Sequence, residues 1–173
     1  MKVGALAIAG AATAAAGAVG VARQSMSSDA EAFAKSAQVA NTSVEEFQRL
    51  AFAAKSVQIE GEKLADIYKD VGDKIGDFLH TGGGPMADFF DNIAPKIGLT
   101  AEAFRHLSGP EALQLYYDSL EKAGLAQSEL TFYMEAIASD ATALIPLLRD
   151  GGRAFEELGE KAAVISSEDI DAL

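Results

Sequence analysis

From Val44 onward the apolar residues recur every three or four positions, and no stretch alternates residue by residue as a half-buried strand would. A chain with this period folds into amphipathic helices, and its glycines and prolines decide where each one stops. The fold class expected is therefore all-α: several short amphipathic helices behind an N-terminal Ala/Gly-rich apolar helix.

The punctuation is clear along the chain. Residues 26–40 are helix-permissive, with Phe33, Ala37 and Val39 or Ala40 able to share a face. Ser43 with Glu46 has the spacing of a capping box, and Val44, Phe47, Leu50, Ala54 and Val57 follow at helical intervals. Glu45, Glu46, Gln48 and Arg49 fall on the side expected to face water. Gly61 is expected to break that helix. The next runs from about Glu62 to Leu79 on a stripe of Leu64, Ile67, Val71, Ile75 and Phe78. Gly72 and Gly76 lie within it and predict close packing or fraying.

Thr81 to Pro85 reads as a loop, followed by a short helix that turns Phe89, Phe90 and Ile93 inward until Pro95. Thr100 is expected to cap a short helix ending near Leu107. Ser108-Gly109-Pro110-Glu111 opens another, which Gly124 closes. Ser128 is expected to cap a helix through Ala138, and Asp140 one that carries Leu144, Leu147 and Leu148, kinked or shortened at Pro146 and ended by Asp150-Gly151-Gly152. A last helix, Ala154 to Ala163, precedes Ser166-Ser167-Glu168-Asp169, which reads as the cap of a helix starting near Ser167. A good cap before so few residues predicts a piece of a longer helical protein.

Charge divides the chain in two. With 14 basic and 26 acidic residues the net charge is 14 − 26 = −12, yet residues 1–24 hold only Lys2 and Arg23 as charges. Between them, Val3 to Ala22 contains ten Ala, four Gly, one Thr and five larger apolar residues. Two regions follow: residues 1–24, an apolar and membrane-competent helix, and residues 25–173, an acidic helical body. The head has the length of a membrane span, but its five larger side chains favour insertion by only about 1.5–3 kcal/mol together. Its small residues at spacing four, such as Ala9, Thr13 and Gly17, suit close helix packing. A packed or inserted helix, a cleaved signal peptide ending near Ala16-Gly17-Ala18 and a buried core helix all remain open.

The same composition limits the chemistry. There is no Cys, so there is no disulfide, thiolate ligand or cysteine nucleophile. Two His make a histidine-rich zinc site improbable on numbers alone. A charge of −12 disfavours a broad phosphate-binding surface. His80 and His106 have no metal-ligand spacing, and the Gly82–Pro85 run lacks the Lys-Ser/Thr of a phosphate loop. The neighbouring carboxylates Glu45-Glu46, Glu156-Glu157 and Glu168-Asp169 read as solvated faces or caps, and no serine sits in Gly-x-Ser-x-Gly. Phe132-Tyr133 and Tyr116-Tyr117 read as core and rim packing. No catalytic, cofactor-binding or metal-binding residue is predicted, and the chain reads as no enzyme.

In order, these elements resemble the N-terminal conserved region of phage tail length tape-measure proteins. The resemblance rests on Ala30 to Lys35, Asn41 to Ala54, Gly109-Pro110-Glu111-Ala112-Leu113, Ala143 to Gly152 and Val164-Ile165-Ser166. It covers roughly residues 30–173, and Ser43–Ala54 and Leu144–Gly152 carry most of it. Where family members often have a Leu-Phe-Gly turn, this chain has Glu135 to Asp140, and the family's long coiled-coil rod is not visible. The resemblance implies a structural virion protein of phage or prophage origin, acting in tail assembly, tail length determination and DNA delivery at infection. It implies the tail tube protein, tail tip and tail assembly chaperones as partners, self-association, and no specific nucleic-acid binding. The expected locations are the tail lumen, the host cytoplasm during assembly and, through residues 3–22, the host inner membrane. The alternative is a membrane-active secreted or inner-membrane helical protein, pore-like or toxin-like, suggested by the uncharged head alone.

Overall fold

A computed structural model of the chain describes residues 28–172. The apolar head, and every expectation placed on residues 1–24, lies outside the described residues. Among the described residues the fold is all-α, with no strand. Seven α-helices among the described residues are joined by loops, 3₁₀ turns and one π-turn: α1 (28–39), α2 (Val44–Ala54), α3 (Gly61–Thr81), α4 (Gly109–Lys122), α5 (Gln127–Ile137), α6 (Ile145–Gly159) and α7 (Ser167–Asp171).

The helix α4 is the centre of the packing. Its Leu113, Tyr116, Tyr117 and Leu120 are all sealed from solvent, and it touches α3, α5 and α6. Ser108 opens it with a complete capping box: its Oγ accepts from Glu111 N at 3.2 Å, and Glu111 Oε1 accepts from Ser108 N at 3.2 Å. Gly109 is required there for space. A Cβ at this position would stand 2.5 Å from the Ala40 carbonyl oxygen and 2.8 Å from Tyr68 Cβ. The Gly109 N–H donates to that same carbonyl at 3.1 Å, so the start of α4 is pinned to the end of α1 and the middle of α3.

Between α3 and α4 the chain does not form the ordinary helix its period suggested. Phe89–Ile93 is a single π-turn, and Ala94–Ile97 a 3₁₀ turn. The wider turn lets Phe89 and Phe90 both point inward. Phe89, with no exposure, packs on Phe90, Phe104, Tyr116 and Tyr133 at centroid distances of 4.5 to 6.4 Å. Phe90 stacks on Phe78 of α3 at 4.3 Å.

Several sequence expectations are corrected. Gly61 does not break the chain; it is the first residue of α3. The break is Gln58, at φ 62°. Ile59 N donates to the Ala54 carbonyl at 3.0 Å, and Gln58 N to that of Lys55 at 3.0 Å. The same left-handed ending recurs at Asn41 and at Gly98, so three segments end alike with three different residues. Ser43 makes only half of the expected box, accepting from Glu46 N at 3.1 Å. Thr100 makes no capping bond with its side chain, and α5 starts after Ala126, with Glu129 reaching back to the Ala126 N–H at 3.2 Å. Ser128 lies inside that first turn. Asp140 pairs with Lys63 instead of capping, and Pro146 begins α6 without kinking it. The first part of α6 is short and stops where expected, at Asp150, Gly151 and Gly152, which are left-handed in succession. Beyond this bend, α6 ends at Gly159, not at Ala163.

Gly72 and Gly76 neither pack closely nor interrupt α3. Both are exposed, and an added Cβ would meet nothing within 4 Å at either. Each therefore costs backbone entropy without a compensating contact. Gly72→Ala and Gly76→Ala are each expected to stabilise the fold by about 0.5–1 kcal/mol, and by roughly twice that together. A urea or thermal unfolding midpoint checks this, and a lower midpoint in either variant would contradict it.

Candidate functional site

No group of three or more acidic or histidine side chains among the described residues is arranged to hold a metal ion. His80 is exposed in the last turn of α3, and His106 is exposed after the 3₁₀ turn Ala101–Phe104. The two lie on separate elements. The glycine loop ends α3: Gly82 is left-handed at φ 70°, and Thr81 Oγ1 accepts from the Gly83 N–H at 3.2 Å.

The tyrosines are working parts of the core. Tyr116 donates to the Tyr133 carbonyl at 2.6 Å, and Tyr133 donates to Asp88 Oδ2 at 3.0 Å. Tyr117 donates to Glu121 at 2.6 Å, and burial, with that carboxylate, pushes its hydroxyl pKa up to about 12. Phe132 is the exception, at 57% exposed.

Two features go beyond the core. The first is a clamp on the C-terminal segment. Gln48, placed by the sequence reading on the wet face of α2, is only 5% exposed. Its Nε2 donates to the Ile165 carbonyl at 2.8 Å and to that of Val44 at 3.2 Å; its Oε1 accepts from Ile165 N at 2.9 Å. One side-chain amide thus pairs with Ile165 as a neighbouring strand would. Next to it, Glu45 accepts from Ser167 N at 2.7 Å, and Ser166 caps α7 by accepting from Asp169 N at 3.1 Å. Sequence reasoning missed Gln48 because a glutamine beside Phe47 scores as surface; its partner lies 117 positions away.

Replacing Gln48 with Leu leaves the Ile165 N–H and C=O without these partners, at a cost of about 1–3 kcal/mol. The loss should be local. Amide exchange should speed up from Ile165 to Asp171 while α4 keeps its protection, and equal loosening of α4 would contradict a clamp. The clamp is also acid-sensitive. The Ser167 N–H, then the N–H of Glu45 itself, hold the Glu45 carboxyl below the usual glutamate range. A depressed folded pKa gives stability that is present above the unfolded value and lost as pH falls through the folded one. The Ser167 amide proton should therefore shift upfield on acidification below about pH 4, and a Glu45→Gln chain should not show that step.

The second feature is a groove bounded by α2, the start of α4 and both halves of α6, with a volume of about 680 Å³. Leu50, Tyr68, Leu148 and Phe155 line its floor. The bend in α6 shapes one wall. Gln114 stitches that bend to α4, donating to the Leu148 carbonyl at 2.9 Å and to Asp118 Oδ1 at 2.8 Å. Gly152 makes room for it, since a Cβ there would fall 2.5 Å from Gln114 Oε1.

Compared with known protein families, curated proteins and solved structures, the chain matches none. Among the described residues, no helix is long and apolar enough to cross a membrane.

Proposed function

We propose that the chain is part of a structural phage tail protein of the tape-measure type, acting in tail assembly, tail length determination and DNA delivery. The observation that carries this reading is how its two most telling segments sit. Ser43–Ala54 and Leu144–Gly152, nearly a hundred residues apart, lie in α2 and around the start of α6, and these helices pack on each other. Val164-Ile165-Ser166 joins them through Gln48. Motifs that share one core are what an ordered resemblance needs if it reflects a fold and not chance spacing.

Two further properties favour a structural role. The acidic surface repels a passing DNA backbone, as a lumen protein that must leave ahead of DNA requires. The chain is also broken by turns at Gln58, Gly82, Gly98 and Gly124, so this region is a compact assembly element and not the ruler. Its partners in this reading are the tail tube, tail tip and assembly chaperone proteins, together with further copies of itself. Residues 3–22 are the part of the chain suited to the host inner membrane.

A stop codon in place of Gln48 in the phage or prophage tests the reading by electron microscopy of the lysate. Tails that are missing or of uncontrolled length, restored by a complementing copy, are expected. Normal tails on infectious particles would overturn it.

A further inference from the structure

The groove under α2 and α6 is an open cleft, and its charge is one-sided. Its volume of about 680 Å³ lies within the 300–1,000 Å³ or so of binding clefts. Leu50, Leu148 and Phe155 form an apolar floor. Around the rim stand Glu46, Glu111, Glu156 and Glu160 against one cation, Arg49, a balance of 1 − 4 = −3. Glu111 is engaged in the α4 cap. Among the described residues, Glu46, Glu156 and Glu160 have no ion-pair partner.

Tyr68 adds an independent sign. It is only 2% exposed, and among the described residues its hydroxyl has no hydrogen bond. No polar side-chain atom among the described residues is sealed off without a partner, and Tyr68 lines this groove. Burial first, and then the charge of Glu46 on the groove rim, pushes the pKa of this hydroxyl up.

We propose that this groove holds a short amphipathic helix from another protein, with one apolar stripe against Leu50, Leu148 and Phe155 and lysine or arginine along its flanks. Charge complementarity selects this occupant. At this acidic rim a second copy of the chain, itself at −12, fits poorly as the occupant, whatever other surface it uses to self-associate. The chain's own head offers mostly Ala and Gly side chains, which would leave the floor unfilled, and only Lys2 and Arg23 as charges. The proposal stands apart from the tail reading, and either can fail without the other.

The test uses the full chain and a fluorescein-labelled helical peptide of about 15 residues built from Leu and Lys, with anisotropy read at about 0.15 M salt. An Ala/Lys peptide of equal charge and a Leu/Glu peptide serve as comparisons. Two triple variants remove the same charge from different places: Glu46→Gln with Glu156→Gln and Glu160→Gln at the groove, and Glu62→Gln with Asp66→Asn and Asp70→Asn on the outer face of α3. All six side chains are exposed, so both variants should fold, and far-UV circular dichroism checks this.

The Leu/Lys peptide should bind the native chain and the α3 variant alike, and the groove variant about tenfold or more weakly. Ala/Lys and Leu/Glu peptides should bind poorly. Equal weakening by both variants, equal binding of Ala/Lys, or no binding of Leu/Lys would each overturn the proposal. A chain that sediments as a dimer and dissociates in the groove variant would give the groove to a second copy, and overturn it as well.

Discussion

Phe89→Ala is expected to lower the unfolding free energy by about 3–5 kcal/mol, the usual cost of emptying a sealed aromatic site. Phe89 has no exposed surface and packs on four other rings, each from a different element of the chain. The neighbours cannot collapse into the space easily. Tyr116 is held by its bond to the Tyr133 carbonyl, and Tyr133 by its bond to Asp88. Phe89→Leu keeps most of the volume and should cost less, about 1–2 kcal/mol. Urea unfolding measures both. A domain of this size has a total stability of about 5–15 kcal/mol, so the alanine variant should remove a large share of it. A loss below about 1 kcal/mol would mean that the aromatic centre is not where the fold's stability lies.

Gly109→Ala should be strongly damaging for a change of one methyl group. The new Cβ would meet a carbonyl oxygen at the end of α1 and the Cβ of Tyr68 inside α3, both fixed to backbone and unable to swing away. The start of α4 would have to retreat, stretching the Gly109 N–H bond to Ala40. About 2–3 kcal/mol is expected, near the upper end for overpacking. The same substitution at Gly72, where space is open, should stabilise. This pair of alanines of opposite sign checks the packing directly by thermal unfolding, and a neutral Gly109→Ala would contradict the close approach.

Legibility from sequence followed the range of the interactions. Helices set by local period were readable: α3 carries its stripe at helical spacing, and Ser108 with Glu111 announces the α4 cap within four residues. The left-handed ending at Gln58 was hidden because nothing in a glutamine signals positive φ; the requirement comes from Ile59 turning inward to the core. Gly72 and Gly76 misled for the opposite reason. A glycine in a helix suggests a close neighbour, and here none came. Pro146 was read as kinking or shortening its helix; proline is at ease in a first turn, so α6 starts there unkinked, and the run it opens is short, broken at Asp150.

The groove and the clamp were not readable at all. The groove draws its lining from α2, α3, α4, both halves of α6 and the segment after it, and no spacing along the chain encodes their meeting. Gln48 and Ile165 are linked only by tertiary structure. The aromatic pairs, by contrast, were read correctly as core and rim: Tyr116, Tyr117 and Tyr133 are buried, and Phe132 stands at the surface.

The most direct measurement is peptide mass spectrometry on tailed particles purified from the source culture. The account predicts peptides from residues 36–149 in intact tails and their loss once the particles have ejected their DNA. Intact tails that yield none of these peptides, with the chain found in the cell membrane fraction, would contradict it.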